Sequence, residues 1–295
     1  MYVPPLGKGI LPQEAAKHHD KIKEDVLSHA LQKSNLEIEN VDIIAYSAGP
    51  GLPPPLITTA NFATQLSKKY KKPLVKVNHC CAHLEIGKLT TNARDPIFVY
   101  LSGGNTQIIA FVEGRYRIFG ETEDISLGNL LDVVAREMKL KSPGGPEIEK
   151  LAKSGKYVEL PYVVKGMDVS FAGIQTAAIN LLKKSIAKED IAYSLQETCF
   201  AMVVEVTERA LAHTGKKEVL LVGGVASNKR LQEMMEKMCE ERGADFHVVP
   251  QEYSGDNGAM IAWTGLLAYK SGRKANFKDK IKPRWRIDEV DITWI

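Results

Sequence analysis

Two histidines stand four residues apart in Asn78-His79-Cys80-Cys81-Ala82-His83. On a helix this spacing sets both imidazoles on one face, one turn apart, where they can reach a single metal ion. Two half-exposed histidines without a ligand duty share the same spacing, so the pair alone leaves both readings open. One chemistry is weakened at once. A zinc protease of the His-Glu-x-x-His type needs a glutamate directly after the first histidine as general base, and that position is Cys80.

Glycine pairs form the second set. Residues 97–101 read as an apolar strand running into Ser102-Gly103-Gly104-Asn105-Thr106, and residues 218–222 as another running into Gly223-Gly224-Val225-Ala226-Ser227-Asn228. Paired glycines after a strand let backbone N–H groups approach a phosphate closely. One such pair is ordinarily a tight turn; two, each followed by an asparagine, point to a nucleotide cleft. Neither loop has the lysine of a P-loop or the G-x-G-x-x-G spacing of a dinucleotide fold. In the third set, Ser254-Gly255-Asp256-Asn257-Gly258, Asp256 stands before an apolar helix. It reads either as that helix's N-cap or as a carboxylate ligand or phosphate-side residue at a helix N-terminus.

The elements that must position these groups alternate between apolar strands and amphipathic helices, so the class is α/β. Pro12 opens a helix over 13–33. A strand over 41–48 is stopped by Gly49-Pro50-Gly51 and by Pro53, Pro54 and Pro55, with a helix over 56–70 after it. A short strand over 73–77 feeds Asn78, a good N-cap, and a helix over 79–88. Segments 107–112 and 116–122 form a hairpin across Glu113-Gly114. Helices follow over 127–138, 147–153 and 188–213. The last helices, to residue 241 and over 259–269, flank a strand over 246–249. A lobe boundary is expected near residue 95, dividing a first lobe, 1–95 joined by 272–295, from a second, 96–271.

The 295 residues suffice for two lobes with a large core; 44% are apolar and 25% charged, an ordinary globular balance. No apolar run reaches the roughly 18 residues that span a bilayer, and Met1-Tyr2-Val3-Pro4-Pro5 has no basic region followed by an apolar stretch. The expected location is cytoplasmic, without membrane partners. Cys80, Cys81, Cys199 and Cys239 form no C-x-x-C pair, which fits reduced thiols better than a zinc knuckle or a disulfide framework. The net charge of +3 neither demands nor excludes nucleic acid. Its distribution says more: Lys270, Arg273, Lys274, Lys278, Lys280, Lys282, Arg284 and Arg286 face only Asp279. Such a stretch either tracks the phosphates of a nucleic acid, with Lys278, Lys280 and Lys282 among the contacts, or is a solvated segment packed on the first lobe through Trp285 and Trp294.

Taken together the motifs resemble one family, the universal threonylcarbamoyladenosine synthases in their archaeal and eukaryotic form, the catalytic subunit of the KEOPS complex. The resemblance is carried by Gln13-Glu14-Ala15-Ala16-Lys17-His18-His19, Gly49-Pro50-Gly51-Leu52, the His79/His83 segment and Tyr100-Leu101-Ser102-Gly103-Gly104-Asn105-Thr106-Gln107. Leu127-Gly128-Asn129 with Asp132, Pro143-Gly144-Gly145-Pro146 with Glu149, Phe171-Ala172-Gly173, the second glycine loop and the Asp256 segment extend it over nearly the whole chain. It implies an actin/Hsp70/sugar-kinase-like fold, two related lobes around a nucleotide and metal cleft. It implies His79, His83, Tyr100 and Asp256 as metal ligands, and Tyr100, Leu101, Ser102, Gly103 and Gly104 along the metal and phosphate side. Asp132, Gly145, Glu149 and Asn228 would hold the adenosine. A mixed nitrogen and oxygen set suits Fe(2+) or Zn(2+), with Mg(2+) accompanying an ATP-type nucleotide.

The implied activity is transfer of threonylcarbamoyl from threonylcarbamoyl-adenylate to the exocyclic amine of the adenosine next to the anticodon in tRNA. No catalytic residue is implied beyond the metal site. The implied partners are tRNA, a small atypical protein kinase, fused in some relatives, and a small dimerising subunit. The chain departs from the family in one place: it lacks the glycine-rich strand pair that precedes Tyr2-Val3-Pro4-Pro5 in other members. The first lobe is therefore expected to lack its N-terminal hairpin, by truncation. An ATPase or small-molecule kinase of the same fold, with Asp132 or Asp256 as base or magnesium ligand, is the rival chemistry; the histidine pair argues against it. A non-catalytic scaffold for a partner kinase is the rival role, using the helix over 13–33 and the basic stretch.

Overall fold

The computed structural model describes residues 2, 4, 5, 9–272 and 281–295. The chain forms two compact units. The first comprises Gly9–Ile86 and Asn257–Ile295, the second Gly87–Asp256.

In the first unit α1 (Pro12–Ser34) packs on α2 (Pro53–Tyr70). Both helices open on proline, where the missing N–H would lack an intrahelical partner anyway, and both end on a left-handed residue, Asn35 at φ 53° and Lys71 at φ 54°. The three prolines expected to stop the preceding strand instead form the first turn of α2. Strand β1 (Ile44–Gly49) pairs in parallel with β2 (Leu74–Asn78), with Ile44 opposite Leu74 and Ser47 opposite Val77. Helix α3 (His79–Thr90) follows β2 without a break. Helix α10 (Gly258–Lys270) packs on both strands. Gly265 permits the approach, since a Cβ there would stand 2.4 Å from the Ala45 Cβ. Beyond the helix, the Lys282 N–H donates to the Ala48 carbonyl at 2.7 Å and the Gly51 N–H donates to the Pro283 carbonyl at 3.1 Å. Trp285, Ile287 and Val290 are buried and peg this segment down.

The second unit is built on a five-stranded sheet of order β5-β4-β3-β8-β9. Strands β3 (Ile97–Leu101), β4 (Thr106–Val112) and β5 (Arg115–Glu121) form an antiparallel meander, while β8 (Glu218–Val222) and β9 (Asp245–Val248) continue from β3 in parallel. Glu113 and Gly114, at φ 50° and 76°, make the hairpin turn whose twist matches its strands. Every residue of β3 is buried, which explains its unbroken apolar run. Helices α4 (Leu127–Glu137), α5 (Gly144–Ala152), α6 (Ala172–Lys183), α7 (Lys188–Thr214) and α8 (Lys229–Arg242) complete the unit, with the short α9 (Gln251–Ser254) and a two-residue hairpin, β6 (Val164–Lys165) and β7 (Asp168–Val169). Four of these, α6, α9, β6 and β7, have no counterpart in the sequence reading. The ends of β3 and β8 lie side by side, so both glycine loops emerge at the carboxyl edge of adjacent parallel strands, where open α/β sheets bind ligands. All four cysteines are free and buried, and burial pushes the Cys239 thiol up to about 12. Among the described residues no helix is long and apolar enough to cross a membrane.

Candidate functional site

Helix α3 begins at His79 because Asn78 caps it: the Asn78 Oδ1 accepts from the Cys81 N–H at 3.0 Å. One turn separates His79 from the buried His83, and their rings meet edge to face at 4.9 Å between centroids. Asp256 directly precedes Asn257, the first residue of the segment that returns to the same unit. The N-cap role considered for Asp256 belongs to Asn257, whose Oδ1 accepts from the Met260 N–H at 2.9 Å. One ligand atom from each of His79, His83 and Asp256 lies within 4.8 Å of the other two. Atoms bonded to one ion at about 2 Å stand about 3–4 Å apart, so small side-chain rotations bring this set to coordination distance. The donor chemistry, two imidazoles and a carboxylate, fits Fe(2+) or Zn(2+). The N-termini of α3 and α10 both lie at these side chains and add positive potential there, which favours an anionic group.

In the second unit Tyr100 is fully buried near the end of β3, and its hydroxyl accepts from the Asn105 Nδ2 at 3.4 Å. From Leu101 the chain enters the first glycine loop, which is braced from within and from outside. The Ser102 Oγ accepts from the N–H groups of Gly104 (3.3 Å) and Asn105 (3.0 Å), so the Gly104 amide already has a partner. The Ser126 Oγ donates to the Gly103 carbonyl at 2.6 Å, and the Leu127 N–H donates to the Thr106 Oγ1 at 2.8 Å. Gly128 brings the first turn of α4 against the loop, because a Cβ there would stand 2.4 Å from the Ser102 carbonyl oxygen. Space is open around Gly103 and Gly104.

The residues assigned to adenosine lie on α4, α5 and the second loop. Burial raises the Asp132 carboxyl, against the Gly144 N–H, which donates to it at 2.6 Å, and Arg136. Gly145 follows Gly144 in the first turn of α5. The Glu149 Oε1 accepts from the Lys229 N–H at 2.8 Å. Asn228 is the N-cap of α8: its Oδ1 accepts from the Leu231 N–H at 3.1 Å and its Nδ2 donates to the Gln196 Oε1 at 2.7 Å. Glu149 and Asn228 therefore hold the loop in shape, whatever else they touch. Lys278 and Lys280 lie outside the described residues. Lys282 is exposed, with its ammonium over the Trp285 ring at 5.0 Å.

Residues 1–263 match the family TsaD, tRNA N6-adenosine threonylcarbamoyltransferase. The enzyme of that name from Archaeoglobus fulgidus is 54% identical over 295 residues, covering 99% of this chain and 90% of the relative. The chain belongs to the TsaD family. A "Probable bifunctional tRNA threonylcarbamoyladenosine biosynthesis protein" from Methanocaldococcus jannaschii is 54% identical over 297 residues, 100% of this chain and 55% of that protein. The chain thus spans about half the length of such bifunctional relatives. Among solved structures, T. kodakarensis HypF superposes with a TM-score of 0.63 at 18% identity, over 84% of this chain and 42% of that one. The activator of the 2-hydroxyisocaproyl-CoA dehydratase from Clostridium difficile follows, at 0.51 and 14%, over 84% and 80%. These likenesses show an actin/Hsp70/sugar-kinase-like fold.

In this TsaD-family chain the supports of the second loop escaped the sequence reading. Gln196 and Glu197 sit on α7, and Gln196 is buried. The Arg230 guanidinium forks onto Glu197, Nε to Oε1 at 2.7 Å and Nη2 to Oε2 at 2.8 Å. Asn228, Lys229 and Arg230 are thus gripped in turn by Gln196, Glu149 and Glu197. A glutamine inside an otherwise apolar helix face was the available signal, since a buried amide needs a partner. Gln196→Leu leaves the Asn228 amide short of its acceptor and is expected to lower unfolding stability by about 1–3 kcal/mol, read by denaturant titration.

Asp124 is a second missed support. Desolvation acts to raise its pKa, but hydrogen bonds from the Ser170 hydroxyl and the N–H groups of Phe171, Ala172 and Ile125 outweigh it and bring the carboxyl down to about 2. Asp124 so ties the start of α4 to the start of α6. A depressed carboxyl contributes stability that is complete above its unfolded pKa, near 4, and is lost as pH falls toward 2. Asp124→Ala is expected to cost about 1–2 kcal/mol at pH 7, after allowing for the screening of an exposed carboxylate. Melts from pH 7 to pH 2 check this, the gap between native and variant closing over the acid range.

Proposed function

We propose that the chain transfers the threonylcarbamoyl group from threonylcarbamoyl-adenylate to the exocyclic amine of the adenosine beside the anticodon in tRNA. The observation that carries the reading is the convergence of His79, His83 and Asp256 at the head of α3 and α10. A kinase that holds Mg(2+) through phosphates and carboxylates has no need of two imidazoles. A metal bound there, Fe(2+) or Zn(2+), with Tyr100 as a further ligand, supplies Lewis-acid stabilisation of charge on the reacting carbonyl and phosphate oxygens.

The chain's own residues do the remaining work. Leu101, Ser102, Gly103 and Gly104 line the phosphate side, where the open space at the glycines admits the anion. Ser126 and Gly128 hold that loop still. Asp132, Gly145, Glu149 and Asn228 frame the adenosine half. The amine attacks the carbamoyl carbon, the anhydride C–O bond breaks, AMP leaves with that oxygen, and the amine gives up one proton. The amine is itself the nucleophile, so no covalent enzyme intermediate is needed. The target base lies in a single-stranded loop and is splayed out at low cost.

In this reading the two units stand for the two lobes of the fold, with the divisions after Ile86 and Asp256 rather than near 95 and 271. Lys278, Lys280 and Lys282 assist tRNA binding, a KEOPS-type kinase and a small dimerising subunit are the partners, and the cytoplasm is the place of work. The product inventory tests the reaction class. Incubation with threonylcarbamoyl-adenylate should release AMP in step with tRNA consumption. ADP formed from ATP, with an acceptor phosphorylated and no AMP, would mark a kinase instead.

A further inference from the structure

Helix α3 carries both histidines but is short, and one face of it must stay turned toward Asp256. The segment after α10 grips this helix at two points, both within the first unit. At the cap, the Asn78 Nδ2 donates to the Trp285 carbonyl at 3.0 Å while its Oδ1 holds the Cys81 N–H. Seven residues further along α3, the Glu85 Oε1 accepts from the indole N–H of Trp294 at 2.9 Å. Residues two apart on a helix do not share a face, so Glu85 is held on a side away from His83. The two grips therefore fix the rotation of α3 about its axis, not merely its position. Glu85 is only 3% exposed, and burial of a carboxyl is tolerable only with hydrogen-bond partners such as this one. Ile287 and Val290, each 1% exposed, anchor the chain between the two grips.

We propose, on the metal reading above, that Asn78, Glu85 and Trp294 are positioning residues that fix the rotation of α3 and so hold the face that carries His79 and His83 in its ligating orientation. Groups that orient metal ligands from behind typically matter about 10–100-fold in metal affinity.

The test is Co(2+) affinity of the full chain, stripped of metal and reloaded, measured by competition with a chromogenic chelator. Melts and circular dichroism of the metal-free forms run alongside. Trp294→Phe keeps an aromatic ring and removes the N–H donor; Glu85→Leu removes the acceptor; Glu85→Gln keeps one. Trp294→Phe and Glu85→Leu should each weaken Co(2+) about 10–100-fold, with the metal-free fold retained. Glu85→Gln should stay within about threefold of the native chain, because its amide oxygen still accepts from Trp294. Native affinity in Trp294→Phe would overturn the proposal. So would equal loss in Glu85→Gln and Glu85→Leu, which would assign the effect to charge rather than to the hydrogen bond. If the native chain itself binds no Co(2+), it is the metal reading that fails, and the positioning role falls with it.

Discussion

Replacing His79 and His83 together by alanine is expected to abolish metal binding and to slow threonylcarbamoyl transfer roughly a thousandfold, the several kcal/mol a Lewis acid contributes to such a transition state. The two imidazoles supply two of the three donor atoms that lie within 4.8 Å of one another, and the oxygen donors left, Asp256 and the proposed Tyr100, do not retain a transition-metal ion against water. Elemental analysis of purified protein should fall from one ion per chain to none. Single-turnover measurement of AMP release should fall with it, while nucleotide affinity by calorimetry changes little. A double variant that keeps stoichiometric metal would remove the site from the account.

Gly223→Ala is expected to destabilise the second unit strongly, because it combines a strained backbone conformation with a clash against backbone. Gly223 sits at φ +92°, and a Cβ there would stand 2.3 Å from the Leu101 carbonyl oxygen, a backbone atom of the neighbouring strand. The conformation, φ 92° with ψ 169°, is essentially glycine-only and costs an L-residue about 1–3 kcal/mol, and forcing the strand ends apart costs about 1–3 kcal/mol more. A loss of about 2–6 kcal/mol should lower the melting temperature by roughly 5–20 °C. Nucleotide affinity should fall as well, because the displaced Leu101 leads directly into Ser102-Gly103-Gly104. Gly224→Ala is the control: no atom lies within 4 Å of its Cβ position, and its stability should stay close to native.

These contrasts show what was legible in the sequence. The histidine pair, the strands ending in glycine and Asp256 before an apolar helix are local patterns, and a period of 3.6 or 2 displays them directly. The long helix α7 and the Glu113-Gly114 hairpin were equally plain. The prolines at 53–55 misled because proline both ends a strand and begins a helix, and the choice depends on how the following apolar face packs. Helix α6 went unread although its turns carry a regular apolar pattern; its start is secured by Asp124, 48 residues before Ala172, a tie invisible to any local window. The same holds for Gln196 beneath Asn228 and for Trp294 against Glu85, 209 residues apart. Side chains that bear chemistry announce themselves by type and spacing, whereas those that hold them in place do so only through long-range contacts.

Acyl transfer onto tRNA from a metal centre at His79, His83 and Asp256, as proposed, requires that the metal-loaded protein modify tRNA and the stripped protein fail to. The most direct measurement is nucleoside mass spectrometry of a tRNA digested after incubation with the full chain, its partner subunits and threonylcarbamoyl-adenylate, with and without prior metal removal. The expected product is N6-threonylcarbamoyladenosine at the position next to the anticodon, lost on stripping the metal and restored by Fe(2+) or Zn(2+). Unmodified adenosine in the metal-loaded reaction, or equal modification by the stripped protein, would contradict it.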